Sequence, residues 1–234
     1  MLKNMLILRD PLKKTGIDPG KTEKSGFAAI LARAGVGKTA LMVQIALNAM
    51  LKEKNVMHIS KKDPVDKVAA WYEEVFLRLT QDTDPAQKTD LLWDELLHHR
   101  FIMTFETETF SIPKLQKRIL ELTGQNIFHP SMIMIDGFSF ADTSNEEVEE
   151  LHEFAQNQGL MVWFTARTHR DGPAGADGIP ADLEPFTHLF ENMILLAPED
   201  DRIYLKPMSS HEKDENISGL YLDPSTMLIR GTTD

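Results

Sequence analysis

The octapeptide Ala32-Arg33-Ala34-Gly35-Val36-Gly37-Lys38-Thr39 constrains the fold of this chain more than any other feature. An apolar stretch with strand character, residues 27–31, runs into it. A helical pattern leaves it, with Leu41, Ile45, Leu47 and Met50 recurring on one side and alanine at 40, 46 and 49. Strand, glycine-rich turn and helix in that order form the context of a phosphate-binding loop. The glycines let the backbone curl so that successive N–H groups face phosphate oxygens, and the helix N-terminus adds its partial positive charge. The expected cradle is Ala34, Gly35, Val36, Gly37, Lys38, Thr39 and Ala40. Lys38 is expected to reach the β- and γ-phosphates, and the Thr39 hydroxyl to hold Mg²⁺. The first motif position, Ala32, departs from the usual glycine.

Beyond this unit the chain alternates short apolar runs with amphipathic stretches, the pattern of an α/β domain. Strands are expected at 56–60, 101–105, 131–135 and 160–165. The last is apolar almost throughout, as a central strand buried on both faces requires. Asp63-Pro64 is expected to open a helix, with Asp63 as its cap and Val68, Trp71, Tyr72, Val75, Phe76 and Leu79 along its apolar side. Further helices are expected at about 89–99, from Ser111-Ile112-Pro113 to Gly124, and from 144 to 158. Four glutamates (146, 147, 149 and 150) crowd the start of the last one, where the helix dipole favours them. Short strands at 193–196, 203–205, 220–222 and 227–229 close the chain, with Asp200-Asp201 as a hairpin turn. Residues 10–26 are rich in Pro, Gly, Lys and Thr. We therefore expect an N-terminal arm or loop over residues 1–24 and one domain over 25–234.

Composition narrows the function classes. With 234 residues the chain is long enough for one substantial core. It has no cysteine, so disulfides, thiolate metal sites and thiol catalysis are ruled out. No apolar run approaches the ~18–20 residues that cross a bilayer. The first nine residues show no signal-peptide pattern. We therefore expect no membrane partner and a cytoplasmic location. The net charge is −11. It is uneven: residues 1–60 carry ten basic against four acidic side chains, and residues 141–234 six against nineteen. This balance disfavours nucleic acid as the main partner, since such binding rests on phosphate neutralisation, while leaving room for a local basic patch.

Asp136 ends the apolar run 131–135, about a hundred residues after Lys38. In phosphate-loop enzymes a carboxylate there holds the Mg²⁺ water shell. With these elements in this order the chain resembles the RecA/KaiC-like ATPases over most of residues 25–230. The resemblance implies a RecA-like P-loop NTPase fold: a mostly parallel central sheet flanked by helices, with short antiparallel strands at the C-terminal end. It implies that the strand ending near Thr165 lies between the Asp136 strand and the phosphate-loop strand. It also implies ATP with Mg²⁺ held by Thr39 and Asp136, a phosphate sensor at Thr165 or Arg167, and assembly with copies of itself or with a protein partner.

Two departures from the family bear on catalysis. Active relatives often read Ser-x-Glu-Asp-Pro after the second strand, the Glu serving as general base. This chain reads Ser60-Lys61-Lys62-Asp63-Pro64, so Lys62 occupies the glutamate position. A charged ammonium cannot accept the proton of the attacking water. Asp63 is the weaker candidate for that role, and Glu73, Glu74 and Glu106 are not at the expected place. Near the C-terminus, relatives present a lysine and an arginine to the neighbouring subunit's ATP. Lys206 matches the lysine and Met208 replaces the arginine. An intact binding loop with a missing base and half a finger pair suggests an ATP-binding regulatory or assembly protein with weak or absent hydrolysis, whose ATP and ADP states differ in assembly or partner binding. The competing readings are a competent DNA-processing ATPase related to helicases or recombinases, and a small-molecule phosphoryl transferase.

Overall fold

The structure is a computed structural model that describes residues 2–9, 25–61, 63–81, 83, 88–105, 110–168, 179–208 and 219–231. Residues 10–24, expected as part of an arm, Lys62, Glu106 and residues 169–178 fall outside the described residues. Nine strands form one sheet: β1 Gly26–Ala32, β2 Val56–Ser60, β3 Arg100–Thr104, β4 Met132–Asp136, β5 Met161–Arg167, β6 Phe190–Glu199, β7 Arg202–Pro207, β8 Leu220–Leu222 and β9 Ile229–Gly231. Their order is β3-β2-β4-β5-β1-β6-β7-β8-β9. The strands from β3 to β6 run parallel. From β6 onward the pairing is antiparallel. The strand ending near Thr165 therefore lies between the Asp136 strand and β1.

Helices cover both faces, which is why the central strands read as unbroken apolar runs. Every residue of β1 and β2 is buried. Alternate β1 residues point to opposite sides: Ala28 and Ile30 into one cluster, Phe27, Ala29 and Leu31 into the other. The first cluster is closed by α1 (Leu2–Arg9), α2 (Lys38–Leu51), α3 (Val65–Thr80) and α4 (Thr89–Leu97). The second is closed by α5 (Ile112–Gly124) and α6 (Asn145–Gln158). Phe27, Phe138, Phe140 and Phe164 meet there at tilted or edge-on angles, the arrangement aromatic quadrupoles favour. In the first cluster His58 is buried on β2, with Nδ1 3.0 Å from the Tyr72 hydroxyl. Burial pushes its pKa down to about 4, which keeps the ring neutral.

Local chemistry sets the helix ends. Ser144 and Glu147 form a reciprocal capping box at the start of α6, and Gly159 ends it at φ +65°. The expected cap at Asp63 is not formed. Pro64 occupies the cap position, and the Asp63 carboxylate instead takes the Lys67 ammonium at 2.7 Å, one turn on. Residues 2–9, expected as part of an arm, form a helix whose Leu2 and Leu6 are buried with the α2 core. Lys3 fixes that helix by donating to Glu53 at 2.9 Å and Glu95 at 2.7 Å. Residues 181–183 form a turn that leads into the 3₁₀ helix Glu184–Leu189, which seats Phe186 beside Phe140. Asp200 takes φ +51° in the β6–β7 turn. Among the described residues no helix is long and apolar enough to cross a membrane.

Candidate functional site

The carboxyl ends of β1, β5, β4 and β2 converge on one edge of the sheet, the place where parallel α/β sheets offer a crevice to ligands. The turn at 33–37 leaves β1 there and enters α2. It passes through the left-handed region twice, at Gly35 (φ +77°) and Gly37 (φ +101°). Both positions favour glycine, because a Cβ meets the following carbonyl in that region. Runs of this kind gather main-chain N–H groups into an anion-binding concavity.

Lys38, the first residue of α2, donates from Nζ to the carbonyl oxygens of Ala32 and Arg33, both at 2.8 Å. Its ammonium thus lies back across the turn. Arg33, Ala34 and Gly35 are exposed, Val36 through Thr39 are half-buried, and Ala40 is packed into the core. The Thr39 hydroxyl lies 2.9 Å from Asp136 Oδ2. Asp136 Oδ1 accepts the Thr165 hydroxyl proton at 2.5 Å, and Thr165 Oγ1 accepts the Gly137 N–H at 2.9 Å. One carboxylate is therefore held by two hydroxyls from two different elements, and the second hydroxyl is itself fixed by the backbone.

This donor set fits Mg²⁺ in one particular way. Among the described residues no three His, Asp or Glu side chains gather as a metal cage. Mg²⁺ keeps several waters and binds through one or two carboxylates plus substrate phosphates. A hydroxyl and an oriented carboxylate beside the glycine turn are compatible with that habit.

The other candidates are dispersed. Asp63 is engaged with Lys67, and its amide donates to Ser60 Oγ at 2.8 Å. Glu74 pairs with Arg78 at 2.5 Å on α3. Lys206 is exposed and ion-paired with Glu199 of the neighbouring strand β6. The Met208 amide bonds to the Met193 carbonyl at 2.9 Å. Arg167 is exposed at the end of β5. Thr165, which the sequence offered as a phosphate sensor, has its hydroxyl engaged with Asp136.

Two features escaped the sequence reading. Lys61 places its ammonium 4.5 Å from the Phe110 ring centroid and 5.6 Å from that of Phe138. Burial lowers its pKa, and nearby Asp142 opposes the shift. The C-terminal hairpin also presses on the turn. A Cβ at Gly37 would lie 2.5 Å from Leu222 Cδ2 and 3.4 Å from Met227 Sδ. Buried Gln44 of α2 ties that hairpin down, donating to the Met227 carbonyl at 2.7 Å and accepting the Ile229 N–H at 2.9 Å.

Thr165→Val keeps the shape and removes the hydroxyl. It should leave Asp136 Oδ1 and the Gly137 N–H unpartnered and destabilise the fold by about 1–2 kcal/mol. Chemical denaturation of both proteins checks this. No loss of stability would mean that the relay contributes nothing to fixing the carboxylate. No family model and no curated protein matches the chain.

Proposed function

We propose that the chain is an ATP-binding protein of the RecA/KaiC-like P-loop kind, slow or inactive in hydrolysis, whose ATP and ADP states govern self-assembly or the binding of a protein partner. One observation carries the reading: Lys38 and Thr39 open a helix directly after a twice left-handed glycine turn, with Asp136 fixed 2.9 Å from the Thr39 hydroxyl. Phosphate oxygens would take over the Lys38 ammonium from two neutral carbonyls, which bind it less strongly than an anion does. Thr39 and Asp136 would hold Mg²⁺, which would neutralise charge on the β- and γ-phosphates. A switch further requires the partner surface to differ in affinity between the ATP and ADP states. In an assembly Lys206 would serve the neighbouring copy's nucleotide only after leaving Glu199. The reading is tested by calorimetric titration with ATP, with and without Mg²⁺, alongside light scattering for assembly. Saturable, Mg²⁺-dependent binding supports it; no binding at millimolar ATP overturns it.

Slow hydrolysis follows from what stands after β2. Lys62 cannot take a proton while charged, and the Asp63 carboxylate is paired with the Lys67 ammonium at 2.7 Å. Lys62→Glu should therefore raise phosphate release. A well-placed base is worth roughly 10²–10⁴-fold, and a glutamate without its supporting neighbours should recover about tenfold. A variant that folds and binds ATP yet releases phosphate no faster would count against the missing-base argument.

A further inference from the structure

The turn that joins β8 to β9, residues 223–228, is tied together from within. Asp223 Oδ1 accepts the Ser225 N–H at 2.8 Å and the Ser225 hydroxyl proton at 2.7 Å. The Met227 N–H donates to the Asp223 carbonyl at 2.6 Å, and the Asp223 N–H donates to that of Leu228 at 2.9 Å. Met227 takes φ +55°, a left-handed conformation that a side-chain-bearing residue holds only where its surroundings offset the strain. Contacts from three directions supply that restraint. From α2, Gln44 donates to the Met227 carbonyl and accepts the Ile229 N–H. From the last turn of α3, Arg78 donates to the Thr226 carbonyl at 2.6 Å while pairing with Glu74. From the phosphate turn, Gly37 lies so close to buried Leu222 that no Cβ fits between them. Val36 of that turn and Met227 of the hairpin also pack on one apolar cluster.

We infer, on the basis of the nucleotide reading, that the hairpin is a clamp on the phosphate turn: docked, it holds the turn in its anion-binding shape, and nucleotide occupancy in return locks the hairpin to α2. Two glycines let the turn curl, and the same freedom lets it relax when one wall is withdrawn. Leu222 is that wall at Gly37, and Gln44 and Arg78 keep it in place. The three are positioning residues, acting through the turn and α2. Among the described residues β9 pairs with β8 alone, so the hairpin is an edge element that opens more readily than a central strand. Apparent affinity falls with the fraction of molecules in which it is docked. Linkage makes the effect mutual: a nucleotide that prefers the docked form suppresses opening by the same factor.

The test follows hydrogen exchange in the whole chain, with Mg²⁺ alone and with Mg·ATP at about ten times its dissociation constant, beside calorimetric titration of the variants. Exchange at 220–222 and 229–231 should slow about tenfold, the factor by which that occupancy favours the docked form. Amides 100–104, on the opposite edge of the sheet, should keep their rate. Arg78→Ala should weaken Mg·ATP binding about fivefold and Leu222→Ala about tenfold, the lower part of the usual coupling range. Arg78→Ala removes one tie from a half-buried surface side chain, so it and the unaltered protein decide the matter if Leu222→Ala fails to fold. A protein that binds ATP with unchanged exchange at the hairpin, uniform slowing that includes 100–104, or folded variants that bind as tightly as the parent each overturn the clamp and leave the phosphate site standing. Absence of ATP binding by the unaltered protein overturns both.

Discussion

Lys38→Ala should weaken Mg·ATP binding about a hundredfold, roughly 3 kcal/mol, the range seen when one member of a desolvated, hydrogen-bonded charge pair is removed. The expectation rests on where the ammonium lies. It is half-buried and donates at 2.8 Å to two carbonyl oxygens across the turn rather than extending into solvent. Folding should suffer far less. The residue has high helix propensity, as does the alanine that replaces it, and the two carbonyls it leaves can turn to water at an exposed turn. Equilibrium titration of both proteins, paired with their melting temperatures, separates the two effects. Unchanged affinity in a folded variant would refute the phosphate site. A large fall in stability would show that Lys38 serves the fold and would remove the binding comparison's meaning.

The sequence made the frame of this site legible and hid its fine positioning, for physical reasons that particular residues illustrate. Strand, turn and helix around residues 27–50 follow from local composition: an apolar run, two glycines and a helical repeat. The same holds for α6, whose capping box and closing glycine all lie within sixteen residues. The parallel order of β4, β5 and β1 came from resemblance rather than from pattern. Thr165 was legible as a polar residue ending a buried strand, but its partner was not. Whether it faces a phosphate or the Asp136 carboxylate depends on the register between β4 and β5, and nothing local encodes that. Asp63 went astray because a capping residue and an i,i+4 ion-pair residue look alike before a helix. The helix at 2–9 was missed because its value lies in burying Leu2 and Leu6 against α2, a tertiary effect that overrides weak local signals. The β8–β9 hairpin shows this most fully. Gln44 lies more than 180 positions before the hairpin groups it bonds, so its polar side chain in an apolar helix had no visible purpose.

That hairpin leaves Gly37 little space for a side chain, and Gly35 supplies the control. Both glycines have positive φ, so alanine at either should lose about 1–2 kcal/mol to backbone strain. At Gly35 nothing lies within 4 Å of the added Cβ, and the loss should stop there. At Gly37 the Cβ would sit 2.5 Å from Leu222 Cδ2, a side chain with no exposed surface and hence little room to yield. Overpacking of this kind adds roughly 1–3 kcal/mol. Gly37→Ala should thus destabilise the fold by about 3 kcal/mol, lowering the melting temperature by roughly 6–12 °C in a domain of this size. Gly35→Ala should lower it by about 2–8 °C on the same scale. The steric share can be isolated. Leu222→Ala alone should cost about 3 kcal/mol through the cavity it leaves, yet the Gly37→Ala, Leu222→Ala pair should fall short of the sum by about 1–2 kcal/mol, because the clash disappears with the leucine. Strain at φ would persist in the pair, so the rescue should be partial. Additivity within about 0.5 kcal/mol would mean that the hairpin does not bear on the turn, and that Gly37 is required by its backbone angle alone.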